Sequence, residues 1–153
     1  MLKRKPIVRH VKDIERVRRS MAIVSWNEDD LFYLCSMIEF VARKTCNKRK
    51  DIVAKMSDKA LEHQWKVAGV NHCLSFEQVC DEWIEEYGIE EGEFDNVAAC
   101  RYSVPTVTSI GRVYQTLILD VMGLYENVIE AIKKVFGSFI SDEISNFNSN
   151  VYY

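Results

Sequence analysis

The residues that could do chemistry in this chain are a small group of histidines and cysteines near the middle of the sequence. His63 and His72 are nine residues apart, and Cys73 and Cys80 are seven apart. Neither interval matches a standard zinc-ligand motif. His72 and Cys73 are chain neighbours, and adjacent helical side chains do not face each other, so they are poorly placed as a nucleophile and its base. The pattern predicts no catalytic residue, no metal site and no cofactor.

Familiar catalytic motifs are missing from the sequence as well. It contains no phosphate-binding glycine loop, no nucleophile elbow and no H-E-x-x-H motif. One enzyme hypothesis stays open in residues 90–105, where the helical period is lost and a long loop is expected. There Asp95, Arg101 and Tyr102 could gather beside His72, and a charged cleft with a perturbed histidine would favour an enzyme.

The elements that would position these residues are helices. A densely apolar segment runs from Leu31 to Thr45, and apolar side chains cover most of the circumference of the helix that it predicts. That pattern is typical of a central, buried helix. The spacing from Ser25 to Glu28 matches a capping box and predicts the start of this helix.

Further helices are predicted along the rest of the chain. A second capping-box spacing, which begins at Ser75, opens an acidic, amphipathic helix that Gly88 ends. A short helix is expected at residues 51–56, and Ser57 or Asp58 caps the next one, which Gly69 stops. Thr106 or Thr108 caps a later apolar helix, and the sequence predicts two more at 124–136 and 138–147.

The fold class follows from these elements. We predict an all-α protein, a single-domain irregular helical bundle of about six to eight helices around a central buried helix. The domain spans residues 1–153, with residues 1–10 as a basic arm and residues 148–153 as a polar tail.

The net charge of -3 hides two segments of opposite charge. Residues 1–20 carry eight basic and two acidic side chains, whereas residues 77–95 carry nine acidic side chains and no lysine or arginine. Such segments can pair with each other, attract a macromolecular partner or be solvated. The residues that we expect to contact a partner are Arg9, Arg16, Arg19, His72, Arg101 and Tyr102.

Nucleic-acid binding is a second alternative. Two short helices predicted within residues 48–68 resemble a helix-turn-helix in length, and they lie beside the basic residues Arg43, Lys44, Lys48, Arg49 and Lys50. The usual turn glycine is missing, and the second helix offers Glu62, His63 and Gln64 in place of arginine and asparagine. With a negative net charge overall, binding to a duplex would depend on this local patch.

The cysteines and the N-terminus indicate a compartment. The five cysteines are odd in number and none has C-x-x-C spacing, which favours reduced thiols in a reducing compartment. The basic N-terminus lacks the apolar core of a secretory signal, and no apolar run approaches the roughly 18 residues of a membrane span. We expect a soluble cytoplasmic protein with no membrane partner, and homo-oligomerisation stays open.

One stretch, from Leu31 to Gly88, carries short motifs in a definite order. They are I-E-F-V-A-R-K-T at Ile38–Thr45, N-K-R-K-D-I-V at Asn47–Val53, and a lone His72 before an acidic helix. In these motifs the chain resembles small bacterial helical domains of unknown function that are often encoded beside ADP-ribosyltransferase-like toxin genes. The resemblance implies a partner protein, such as a toxin neutralised by binding. We therefore expect a non-catalytic, antitoxin-like protein-interaction module.

Overall fold

The computed structural model describes residues 27–100, 103–124 and 127–145, and in these ranges the chain is all-helical. The predicted fold class is confirmed. The helices of the described ranges are α1 (Glu28–Thr45), α2 (Arg49–Lys55), α3 (Asp58–Lys66), α4 (Ala68–Asn71), α5 (Phe76–Tyr87), α6 (Val107–Val121), α7 (Val128–Phe136) and α8 (Phe139–Ser145). None of them is long and apolar enough to cross a membrane. The predicted arm at 1–10 and tail at 148–153 lie outside the described residues.

Helix α1 is the central element, as predicted. Leu31, Met37 and Ile38 are fully buried, and the buried apolar side chains of the described helices form one contiguous cluster around α1. The start of α1 differs from the prediction, because the helix begins at Glu28 and Asn27 caps it. The Asn27 Oδ1 accepts a 2.8 Å hydrogen bond from the backbone N–H three residues later, so this short side chain does what a cap at Ser25 was expected to do.

Helices α1 and α6 pack against each other more extensively than any other pair of described helices. They run antiparallel. The Gln115 Nε2 of α6 donates to the Glu28 carbonyl at 2.7 Å, and at the other end the Arg43 Nη2 donates to the Pro105 carbonyl at 2.7 Å. Gly111 lies against the buried Ser36, and a Cβ at position 111 would lie only 3.0 Å from the Ser36 Cα, so the absence of a side chain there allows the two helices to pack closely.

Three helix caps predicted from the sequence are confirmed. The hydroxyls of Ser57, Ser75 and Thr106 accept backbone hydrogen bonds at the starts of α3, α5 and α6. Gly88 ends α5 in the left-handed region at φ 60°, a conformation that glycine adopts without steric cost. The predicted stop at Gly69 is wrong, because this residue lies within α4. Helix α3 ends at Lys66 instead, and Val67 leads into the next short turn.

The connection between α5 and α6 is irregular, as expected, but hydrogen bonds attach its first half to the end of α1. The Gly92 N–H donates to the Thr45 carbonyl at 2.8 Å and the Phe94 N–H donates to the Cys46 carbonyl at 2.9 Å. A turn forms at residues 96–99, where the Asp95 carboxylate accepts two backbone hydrogen bonds at 3.0 Å. This part of the loop is therefore a fixed edge of the core.

The last two described helices complete the core, because α7 packs against α2, α3 and α6, and α8 packs against α7. Helix α7 begins at Val128 with Asn127 as its cap, later than the predicted start at residue 124, because the chain first makes a 3-10 turn at Met122–Leu124. The Tyr114 and Phe136 rings stack with centroids 4.2 Å apart and an interplanar angle of 3°. This contact joins α6 to α7 through two fully buried aromatic side chains.

Candidate functional site

Only one of the six residues predicted to contact a partner lies in the described part of the chain. His72 follows α4 and is exposed. Arg9, Arg16, Arg19, Arg101 and Tyr102 lie outside the described residues. The structure therefore shows where His72 lies, and the partner contacts of all six residues stay predictions.

The environment of His72 is aromatic and weakly acidic. Its ring lies 4.4 Å from the Tyr33 ring, centroid to centroid, and the Tyr33 hydroxyl donates to the Asn71 carbonyl at 3.3 Å. Burial raises the pKa of Asp30, while the charge of His72 acts in the opposite direction. The imidazole thus covers the join between α1 and α4, and it remains accessible from solvent.

The described residues do not form a catalytic group that would support the enzyme hypothesis for residues 90–105. Asp95 uses one carboxylate oxygen on the backbone of its own loop, and the described contacts of His72 are with α1. No group of three histidines, cysteines or acidic residues in the described ranges could hold a metal ion. All five cysteines are free thiols.

Helices α2 and α3 occupy the segment predicted to resemble a helix-turn-helix, but several of its cations are engaged within the fold. Arg49 is only 3% exposed and pairs with Glu39. Arg43 also pairs with Glu39, at 2.6 Å, and Lys50 lies 3.1 Å from Asp142. Three of the five basic residues of this patch therefore pair with carboxylates, which weakens the nucleic-acid alternative.

A buried ionic cluster lies where α1, α2 and α6 meet. Glu39 is fully buried and accepts hydrogen bonds from the side chains of Arg43 and Arg49. The Arg49 guanidinium also lies 5.4 Å from the centroid of the Tyr114 ring, and the Tyr114 hydroxyl shares a 2.7 Å hydrogen bond with Ser141. The cluster links four helices through polar contacts and is enclosed by the core.

The electrostatics of this cluster keep the Arg49 guanidinium charged. Burial alone would lower the pKa of Arg49, but the Glu39 carboxylate and Tyr114 outweigh burial, so the pKa of the guanidinium is raised. Burial raises the pKa of Tyr114, against the opposing effects of Arg49 and the Ser141 hydrogen bond. A neutral tyrosine therefore lies beside a buried ion pair, and Glu39, Arg49 and Tyr114 are each at most 3% exposed.

An acidic surface covers the outer face of α5 and the loop after it. We define it by eight exposed carboxylate side chains: Glu77, Asp81, Glu85, Glu86, Glu90, Glu91, Glu93 and Asp95. The opposite face of α5 is anchored in the core by Val79, Cys80 and Trp83, which are at most 1% exposed. The amphipathic pattern of this helix was predicted from the sequence, and the structure confirms which face is solvated.

A second surface feature is an open groove of about 550 Å³ along α1 and α6, which we call the Arg112 groove. Phe32, Val113 and Leu117 supply its apolar lining, and Ser109, Arg112 and Thr116 are among its polar residues. The guanidinium carbon of Arg112 lies 4.0 Å from the centroid of the Phe32 ring, a close cation–π contact. The groove combines one exposed cation with an apolar wall.

Sequence reasoning missed both the ionic cluster and the Arg112 groove. Glu39 gave a signal, because it is the one carboxylate in the otherwise apolar stretch of α1 and stands four residues before Arg43. The sequence contains no signal that marks Arg112, because a single arginine on an amphipathic helix is usually a solvated residue. Its contact with Phe32 depends on the packing of α6 against α1, 80 residues away in the chain.

Comparison of the chain with protein-family models, with curated proteins and with solved structures gives no match.

Proposed function

We propose that this chain acts by binding another protein, in the manner of an antitoxin that holds a toxin, and performs no turnover of its own. The observation that carries the proposal is the acidic surface on α5 and its following loop. It presents eight exposed carboxylates on a helix whose other face is fixed in the core. Such a surface suits a partner with a basic docking segment.

The arrangement of these carboxylates costs stability in the isolated chain. Glu77 and Asp81 are four residues apart on one helical face, where like charges destabilise a helix by about 0.2 to 0.5 kcal/mol per pair. Glu86 lies in the last turn, which contains no basic residue, although the helix dipole favours cations there. A basic partner would relieve both penalties on binding.

Charge complementarity of this kind acts mainly on the rate of encounter. Exposed charges around an interface steer a partner of opposite sign and are screened by salt. The expected signature is fast association that slows as the ionic strength rises. A partner held by buried apolar contacts alone would lack that dependence.

The experiment compares two variants with the same change in charge. One neutralises four residues of the acidic surface (Glu77→Gln, Asp81→Asn, Glu86→Gln and Glu90→Gln), and its control neutralises four exposed carboxylates elsewhere (Asp29→Asn, Asp120→Asn, Glu130→Gln and Glu143→Gln). The wild-type chain is first used to purify a stoichiometric partner from the native host. Association of that partner with each variant is then measured at several salt concentrations.

We expect the surface variant to associate more slowly and with a weaker salt dependence, and we expect the control to behave like the wild-type chain. Equal behaviour of the two variants, or the absence of any stoichiometric partner, would contradict the proposal. A saturable activity abolished by His72→Ala would place the protein among enzymes instead.

The antitoxin form of the proposal has its own test. A reading frame that abuts or overlaps this gene is expressed alone and together with the present chain. We expect growth arrest in the first case and recovery in the second, with the recovery weakened in the surface variant. If the neighbouring gene product leaves growth unaffected, the antitoxin form of the proposal is contradicted. The broader proposal of protein binding is then tested by the association measurements alone.

A further inference from the structure

The Arg112 groove carries an inference that does not depend on the acidic surface. Its central feature is a guanidinium that is exposed yet held in place. The Arg112 Nη1 donates to the Gln115 Oε1 at 2.7 Å, and the plane of Phe32 supports the same group from α1. Gln115 is itself buried and fixed, because its Nε2 donates to the Glu28 carbonyl. Most of the entropy of ordering this arginine is therefore lost on folding, before any ligand arrives.

Among the described residues, none provides a counterion for Arg112. In the described part of the chain, no carboxylate lies within ion-pair distance of its guanidinium. Its one described hydrogen bond uses Nη1, so no described hydrogen bond occupies the Nε and Nη2 donors. A planar fork with donors to spare matches the two oxygens of a carboxylate.

The hydroxyl of Ser109 adds a further donor on the same face of α6. The Thr106 hydroxyl donates a hydrogen bond to the Ser109 Oγ at 2.7 Å. Ser109 is the acceptor in that contact, so its own hydroxyl proton is not used there. Ser109 stands three residues before Arg112, so the two side chains are neighbours on the helix surface. Thr116 contributes no such donor, because its hydroxyl donates to the Arg112 carbonyl at 2.9 Å.

The rest of the groove is apolar and has room for a small molecule. Phe32, Val113 and Leu117 form its lining, and its volume of about 550 Å³ falls within the range of ligand pockets, roughly 300 to 1,000 Å³. We propose that the Arg112 groove binds a small organic monocarboxylate with a hydrophobic body. The carboxylate pairs with Arg112 and Ser109, and the body packs against the apolar lining.

A single negative charge fits this groove better than a polyanion. Arg112 is the one cation among its lining residues, and the chain as a whole carries a net charge of -3. A phosphate dianion would meet one guanidinium and the repulsion of the remaining protein. The apolar lining would also contribute no binding free energy for a fully hydrated anion.

The test uses three probes that separate charge from hydrophobic contact. They are 3-phenylpropionate, its neutral analogue 3-phenylpropanol, and inorganic phosphate. Binding is followed by nuclear magnetic resonance, through the Arg112 Nε–H signal and the backbone amides of Val113 and Leu117. We expect saturable shifts of all three signals with phenylpropionate, and much weaker binding of the alcohol and of phosphate.

Variants assign the effect to the groove. Arg112→Gln should weaken phenylpropionate binding by about tenfold or more, because a hydrogen bond between charged groups contributes more than one between neutral groups. The matched control, Lys134→Gln, removes an exposed cation that does not line the groove and should retain wild-type affinity. Arg112→Lys keeps the charge but loses the planar fork, and should give intermediate affinity.

Several outcomes would overturn the inference. One is the absence of saturable shifts with phenylpropionate at millimolar concentrations. Another is equal affinity for the alcohol or for phosphate, which would contradict the proposed ligand class. Equal weakening by Lys134→Gln would show a general electrostatic effect. If Arg112→Gln loses its helical circular dichroism, the comparison of Arg112→Lys with Lys134→Gln decides the question.

Discussion

Glu39 and Arg49 form an ion pair inside the helical core, with side chains that are 1% and 4% exposed. The carboxylate comes from the middle of α1 and the guanidinium from the first turn of α2. Because Arg43 also donates to Glu39, one buried acid holds two cations. Removing the acid would leave Arg49 charged and enclosed.

Glu39→Gln is therefore expected to destabilise the protein by about 3 to 5 kcal/mol, the usual cost of breaking a buried ion pair from one side. The measurement is urea denaturation followed by circular dichroism. The double variant Glu39→Gln/Arg49→Met should recover part of this loss, because it contains no uncompensated Arg49 charge. If the double variant lost as much stability as the two single variants together, the two residues would not be energetically coupled.

Gly111→Ala tests the close packing of α1 and α6 at Ser36. A Cβ at this position would overlap the Ser36 Oγ and lie 3.0 Å from the Ser36 Cα. We expect a loss of about 1 to 3 kcal/mol from overpacking. Gly123→Ala is the matched control, since a Cβ there would meet no atom within 4 Å.

Addition of Ser36→Ala to Gly111→Ala removes the nearest clashing atom, and it should restore part of the stability. If Gly111→Ala and Gly123→Ala gave the same unfolding midpoint, Gly111 would not set the spacing of the two helices.

Thiol labelling of the native protein should follow burial. Cys73 is exposed and should react first, while Cys46 and Cys100 are intermediate. Burial raises the pKa of Cys80 to about 11 and moves the pKa of Cys35 further in the same direction. Since the thiolate is the reactive form, these two residues should be labelled only on unfolding.

Mass spectrometry of timed labelling in native and denaturing buffer gives the order. Five labelled thiols are expected after denaturation of a reduced sample, without bound zinc. Rapid modification of Cys35 under native conditions would contradict the packing of α1.

The sequence was sufficient for the elements that local rules define. The hydrophobic period of α1 and the caps at Ser57, Ser75 and Thr106 depend on neighbouring residues only, and each is found as expected. Capping-box spacing favours Ser25 as the cap of α1, whereas the structure uses Asn27, a residue type that caps a helix equally well.

Features that depend on tertiary packing were not predictable in this way. Glu39 meets Arg49 ten residues on, and Arg112 meets Phe32 across two helices. The hydrophobic periodicity of a single helix does not indicate which residues of another helix it will contact. For the same reason, the sequence does not show that several residues of the basic patch pair with carboxylates within the fold.

The remaining prediction concerns Asp30 and the pH dependence of stability. Its folded-state pKa is raised above 3.8, first by burial and then by Asp29, while His72 and a backbone hydrogen bond oppose the shift. The folded state therefore binds more protons at this site than the unfolded state between 3.8 and the raised value. Stability from this group is present at low pH and is lost as the pH rises through that window.

Asp30→Asn removes this titration. The difference in unfolding free energy between the variant and the wild-type chain should shift in favour of the variant as the pH rises from 3.5, and it should become constant above the raised pKa. His72→Gln should raise the pKa of Asp30 further, because the opposing positive charge is lost. Urea midpoints across the pH range, with carbon-13 titration of the Asp30 carboxyl, measure both effects. A carboxyl that titrates below 3.8 would contradict the burial of Asp30 against α4.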